Sequence, residues 1–321
     1  MKLSILVPAR NEEFLARTVQ DLLENIQDDT EIIVGLDGEW ANPQIPQNER
    51  VIIFYSPVSI GQRAMTNQLC RLARGKYVMK VDAHCAFRPG FDTSMLKAYK
   101  KIATICPCDP EKVLMVPTMR NLHAFNWVCE CGYSHYQDKG SKCLTCGKEM
   151  KKDVVWIAKS RPESRSYRFD SEPHFQYFNE YTKRKEYIEQ AEKYKLTETM
   201  SIQGSCFMLT RKMYWKLNIC DESYGSWGSQ GIEVACKFWF SGGKVVVNHR
   251  TWYAHMFRTK PSNGFGFPYK LDQNKVQDAK KRAKEFLKTK DVHSLKWLLD
   301  KFWPVSGWSE DDIKKLSENE K

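Results

Sequence analysis

The first 120 residues alternate short apolar runs with amphipathic stretches, and that alternation leaves the chain few folds to choose from. Strand-like runs at 3–8, 31–36, 51–55, 77–81 and 113–117 are separated by helical stretches near 12–25, 62–73 and 91–105. Alternating β and α units predict an α/β, doubly wound sheet flanked by helices. Ligands of such sheets lie beyond the carboxyl ends of the strands. Arg10, Asp37 and Asp82 all fall at such ends.

The fourth run ends in Met79-Lys80-Val81-Asp82-Ala83-His84-Cys85. Strand side chains alternate in direction, so Asp82 and His84 point to one side and can grip one divalent ion beside a diphosphate. The competing possibility is a satisfied polar strand end, since Asp-x-His also occurs by chance.

A second element lies far downstream: Tyr224-Gly225-Ser226-Trp227-Gly228-Ser229-Gln230-Gly231-Ile232-Glu233, a helical run over 234–240, Gly242-Gly243, a strand over 244–247, then Ala254-His255-Met256-Phe257-Arg258. Together with Asp82-x-His84 it resembles the polypeptide N-acetylgalactosaminyltransferases and related family-2 glycosyltransferases. Their pattern is Asp-Ser-His-Cys, Trp-Gly-Gly-Glu-Asn-x-Glu and Gly-His-Val-Phe-Arg, in that order. The opening Ser4-Ile5-Leu6-Val7-Pro8-Ala9-Arg10-Asn11-Glu12 and the later Glu31-Ile32-Ile33-Val34-Gly35-Leu36-Asp37-Gly38 are similar to that superfamily's first strands. The resemblance covers about residues 1–120 and 200–290.

The resemblance implies a GT-A fold, a UDP-sugar donor and a manganese or magnesium ion held by Asp82, His84 and His255. It implies a nucleotide cleft lined by Pro8, Arg10, Glu12, Asp37, Gly61 and Arg63, with Asp37 reading the uracil or ribose. Arg258 would add a fixed cation for the phosphates. Trp227 would pack against the leaving group or sugar, and Gln230 and Glu233 would be polar groups near the reacting centre. Two positions depart from the pattern: Gln230 stands for Glu and Gly231 for Asn. Retention of anomeric configuration is implied as well, and Gln230 cannot serve as the carboxylate base that an inverting enzyme needs.

Residues 121–155 read as an insert. Cys129-Glu130-Cys131-Gly132 and Cys143-Leu144-Thr145-Cys146-Gly147 form two knuckle-like pairs, each followed by glycine, as a zinc-ribbon-like site requires. Structural zinc on Cys129, Cys131, Cys143 and Cys146 is weighed against disulfides and free thiols, because the first pair is Cys-x-Cys. With 11 cysteines and no export signal, a reducing cytoplasmic setting is expected. The other seven (Cys70, Cys85, Cys106, Cys108, Cys206, Cys220 and Cys236) read as core residues.

The chain thus divides into a nucleotide-sugar half (1–120), the insert (121–155), an acceptor and metal-completing half (156–260) and a tail (261–321). The tail opens on a glycine-rich aromatic stretch, 261–268, that resembles the family's lid. Over 270–301 ten basic residues face five acidic ones, which suggests one basic helix. Aromatics interleaved with charges over 154–196 could stack on nucleic-acid bases or pack into the core. No run reaches the 18 or more apolar residues of a membrane span.

A formal charge of +11 and a pI near 9.0 call for an anionic partner or serve solubility alone. These features point to DNA as acceptor, through a hydroxymethylated pyrimidine base. The alternatives are a protein Ser/Thr or a glycan or lipid carrier, and a catalytically inactive sugar- or nucleic-acid-binding module. The oligomeric state is not legible in the sequence.

Overall fold

The computed structural model describes residues 1–105, 109–225, 228–260 and 264–318. Strands β1 (Leu3–Ala9), β2 (Thr30–Asp37), β3 (Val51–Ser56) and β4 (Tyr77–Val81) lie parallel in the order β4-β1-β2-β3. Downstream come β5 (Cys85–Phe87), β6 (Val113–Val128), β7 (Ser134–Tyr136), β8 (Lys151–Ser164), β9 (Tyr167–Phe169), β10 (Phe175–Tyr177), β11 (Leu196–Glu198), β12 (Cys206–Thr210) and β13 (Lys244–His255). The helices are α1 (Leu15–Asn25), α2 (Gln62–Leu72), α3 (Phe91–Ile105), α4 (Lys185–Tyr194), α5 (Arg211–Lys216), α6 (Gln230–Phe240), α7 (Gln273–Leu287), α8 (Leu295–Phe302) and α9 (Glu310–Glu318).

One mixed sheet runs β11-β13-β6-β12-β4-β1-β2-β3, with β12 antiparallel to both β4 and β6 and β13 parallel to β6. The side chains of β1 and β2 are almost wholly buried; α2 packs on both strands, and α3 packs on β13. This is the mixed α/β arrangement, a largely parallel sheet flanked by helices, expected from the sequence. Strand β5 decides the site's position. It pairs antiparallel with β13 in the register His255 to Cys85, so the last residue of β13 lands beside Asp82-x-His84.

Strand β6 runs eleven residues beyond the expected 117, because Leu122, Ala124 and Trp127 continue the buried pattern and pair with β8. The proposed domain boundaries at 120/121 and 155/156 fall inside β6 and β8. The cysteine insert is accordingly the tip of a hairpin that grows out of the main sheet.

The aromatics of 154–196 are packing residues. Tyr167, Phe169, Phe178, Tyr181 and Tyr187 are buried in the main core, and Trp156 in the hairpin cluster. The basic tail is two helices rather than one. Asp272 caps α7, and the Ser294 hydroxyl accepts from Trp297 N and restarts the chain as α8. Among the described residues no helix is long and apolar enough to cross a membrane.

Candidate metal and nucleotide site

Asp82, His84 and His255 present ligand atoms that all lie within 4.8 Å of one another at the carboxyl edge of the sheet. His255 Nε2 stands 3.4 Å and His84 Nε2 3.9 Å from Asp82 Oδ2, and the imidazole centroids are 4.9 Å apart. Neither nitrogen of the buried His255 ring makes a hydrogen bond of ordinary geometry. Burial pushes its imidazole down to about 4, so near neutral pH it holds the lone pair a cation requires. Burial would raise Asp82, but the Lys80 ammonium and the two histidines hold its carboxyl well below the usual carboxylate range. Two imidazoles and one carboxylate converging on one point suit a divalent ion such as manganese.

His84 Nδ1 faces Glu12 Oε2 at 3.3 Å. A proton on Nδ1 donated to Glu12 fixes the tautomer and aims Nε2 at the ion position. Glu12 also accepts from Arg258 Nη2, and Arg258 Nη1 donates to Gly266 O at 3.0 Å. Arg10 joins the same mouth, its guanidinium 4.3 Å from the Tyr269 ring centroid. The structure thus gathers Arg10, Glu12, Asp82, His84, His255 and Arg258 at one place, next to Pro8 on β1.

Asp37 ends β2 and ties down the loop before α2. Its oxygens accept from Ile60 N (2.6 Å), Ser59 Oγ (2.9 Å) and Gly61 N (3.1 Å). This holds Gly61, at φ +88°, against the turn at Gly225. Arg63 and Glu233 form a third group. Arg63 Nη1 lies 2.7 Å from Glu233 Oε2 and Lys237 Nζ 2.5 Å from Glu233 Oε1, with both Arg63 and Glu233 buried. Gln230 is buried against Cys220 Sγ at 3.4 Å. Gly231 is there of necessity, because a Cβ would sit 2.1 Å from Ile202 O, which no asparagine tolerates. Trp227 lies outside the described residues, as do Cys106, Cys108 and 261–263 of the lid.

Sequence reasoning missed Lys80. Its buried ammonium contacts Asp82 Oδ1 and donates to Gly204 O at 2.9 Å. The signal was present: a lone lysine in an apolar strand, two residues before Asp82 and therefore on its face. Phe265 belongs to the lid-like stretch expected from the sequence, but its contact with the site was not legible there: its ring stands edge-on to His84 at 5.2 Å.

At the hairpin tip Cys129 Sγ–Cys146 Sγ is 3.5 Å and Cys131 Sγ–Cys143 Sγ 3.6 Å. A tetrahedral zinc with bonds of about 2.3 Å sets its sulfurs about 3.8 Å apart, so the four thiols fit a closed structural site. Gly132 (φ +86°) and Gly147 (φ +72°) turn the two knuckles, donating to Cys129 O and Cys143 O. Burial opposes ionisation of Cys143, but the N–H groups of Cys146 and Thr145 and the neighbouring thiols bring it down to about 6. Among the described residues, Cys70, Cys85, Cys206, Cys220 and Cys236 are buried free thiols, as expected of core cysteines.

The pattern of Glycosyl transferase family 2 matches residues 4–139. The Drosophila melanogaster protein named polypeptide N-acetylgalactosaminyltransferase 13 is 22% identical over 288 residues, 84% of this chain and 44% of that protein. Polypeptide N-acetylgalactosaminyltransferase 3 of the same organism is 27% identical over 70 residues, 22% of this chain and 10% of that protein. The chain therefore spans less than half the length of the curated relatives it matches. Among solved structures, GalNAc-T7 with UDP, GalNAc and Mn2+ superimposes with a TM-score of 0.61 at 15% identity, over 99% of this chain and 54% of that one. Residues 1–349 of S. aureus TarS with UDP-GlcNAc give 0.52 at 11% identity, over 94% and 71%.

Proposed function

We propose, on the premise that residues 4–139 form a family 2 glycosyl transferase domain within a GT-A fold, that this protein moves a sugar from a UDP-sugar to a hydroxyl acceptor with a divalent cation. The observation that carries the reading is the convergence of Asp82, His84 and His255, with Glu12 and Arg258 behind them. A cation bound there would act as a Lewis acid on the departing diphosphate. The chain's own residues do the remainder. Glu12 orients His84, Arg258 offers a guanidinium at the diphosphate side, and the 264–267 segment covers the pocket and excludes water that would hydrolyse the donor. Asp37 holds the loop that would line the nucleotide, and Trp227 would border the sugar. Gln230 carries no carboxylate and Glu233 is neutralised by Arg63 and Lys237, which favours retention over base-assisted inversion.

The acceptor reading is DNA bearing hydroxymethylated pyrimidines, and it rests on charge. Helix α7 buries Val276, Ala279, Ala283 and Leu287 against α6 and the turn at Glu222–Tyr224, and turns Lys275, Lys281 and Arg282 to solvent. The core packing of the 154–196 aromatics takes base stacking out of that argument. Transfer to protein Ser/Thr is the second reading, favoured by the names of the relatives. Labelled UDP-GalNAc and UDP-GlcNAc with manganese, offered in parallel to hydroxymethylated DNA, plain DNA and a Ser/Thr peptide, separate the two. Label on hydroxymethylated DNA alone supports the first, and label on peptide alone refutes it.

A further inference from the structure

The cysteine-capped hairpin meets the segment beside His84 and Arg258, chiefly through Lys152. Lys152 Nζ donates to Gly264 O at 2.7 Å and pairs with Glu13 Oε2 at 2.5 Å, inside a cage formed by the rings of Phe125 (4.8 Å), Phe14 and Trp127. It therefore joins three segments: the hairpin, the turn that supplies Glu12, and the stretch after Arg258. Trp127 presses on the same point, since a Cβ on Gly264 would meet its Cζ2 at 2.2 Å while the backbone holds φ +85°. The next residue, Phe265, is buried between Phe14 (5.5 Å), the His84 ring and the Arg258 guanidinium (4.4 Å). Ala254 and Met256, on either side of His255, belong to the same apolar cluster as Cys129 and Cys143.

We infer that the hairpin is a positioning element of the transfer site, with Lys152 and Trp127 seating Gly264–Phe265 over His84 and Arg258. This rests on the glycosyltransferase reading above. A hairpin that served stability alone would not require a lysine to spend its ammonium on a carbonyl across the site, with that carbonyl's residue barred from carrying a side chain. Lys152 touches no reacting atom; it acts through Phe265 and Arg258.

The test compares Lys152→Met and Gly264→Ala with Lys151→Met, an exposed neighbour on the same strand. Hydrogen exchange at 264–267 is read with and without UDP and manganese, and transfer and donor hydrolysis are read as kcat and KM. Both variants should exchange faster at 264–267 than wild type or Lys151→Met. Their kcat for transfer should fall roughly ten- to hundredfold, with a higher ratio of hydrolysis to transfer. Unchanged exchange and an unchanged hydrolysis ratio in either folded variant would overturn the inference. The exchange readout needs no turnover, so it decides the matter even if UDP and manganese fail to bind the wild type, a result that would count against the glycosyltransferase reading instead.

Discussion

Removing the Glu233 carboxylate isolates a buried charge network whose cost can be worked from its geometry. Glu233 is fully buried between Arg63 at 2.7 Å and Lys237 at 2.5 Å, and the Arg63 guanidinium also lies 4.7 Å over the Tyr224 ring. In Glu233→Ala, Lys237 keeps the Asn218 carbonyl, whereas Arg63 cannot shed its proton and is left as an uncompensated buried cation. Breaking a buried pair in this way costs about 3–5 kcal/mol. At roughly 2 °C per kcal/mol for a chain of this size, the melting temperature should fall by about 6–10 °C. Differential scanning calorimetry measures it, and Arg63→Met added to Glu233→Ala should recover part of the loss, because the double variant strands no guanidinium. A Glu233→Ala protein that melts with the wild type but has lost transfer would refute this reasoning and return Glu233 to the reacting centre.

Two further outcomes follow from the same structure. Purified protein should carry about one zinc per chain, and Cys143→Ser should lose it together with thermal stability, since metal binding here is folding energy; a folded preparation without zinc by elemental analysis would contradict this. His249, hydrogen-bonded to Thr197 Oγ1 at 2.8 Å, is pushed down to about 3 by burial and by Arg165, Lys195 and Arg250. Between pH 6.5 and about 3 the unfolded chain holds one more proton at this imidazole, so stability falls on acidification by up to about 1.4 kcal/mol per pH unit. Urea midpoints between about pH 5 and 6.5 should show a shallower acid dependence in His249→Gln than in wild type, and equal slopes would remove the claim.

The parallel strands β1 to β4 and helix α3 were legible because their apolar periods are local. Asp82 and His84 were legible because strand alternation fixes their common side. What brings His255 to them, the pairing of β5 with β13, is a contact between distant segments that no local pattern encodes. The same holds for Arg63 with Glu233 and for Lys152 with Gly264, where each partner reads as an ordinary charge or turn until the fold joins them. The aromatics between Trp156 and Tyr187 stayed open between base stacking and core packing for a different reason. Short strands mixed with charges have no clear period, so composition could not say which faces turn inward. The break between α7 and α8 had its marker in Ser294, four residues past the last lysine of the preceding run, and was hidden by the even spread of basic residues on both sides.

The central claim is that Asp82, His84 and His255 hold the cation that makes sugar transfer possible. Calorimetric titration of manganese in the presence of UDP, on wild type and on His255→Ala, tests it most directly, with melting temperatures taken to confirm that both are folded. The account predicts saturable, one-to-one manganese binding by the wild type and loss of that binding by the variant, with release of UDP from a UDP-sugar abolished in parallel. Undiminished manganese binding and undiminished UDP release in His255→Ala would contradict it.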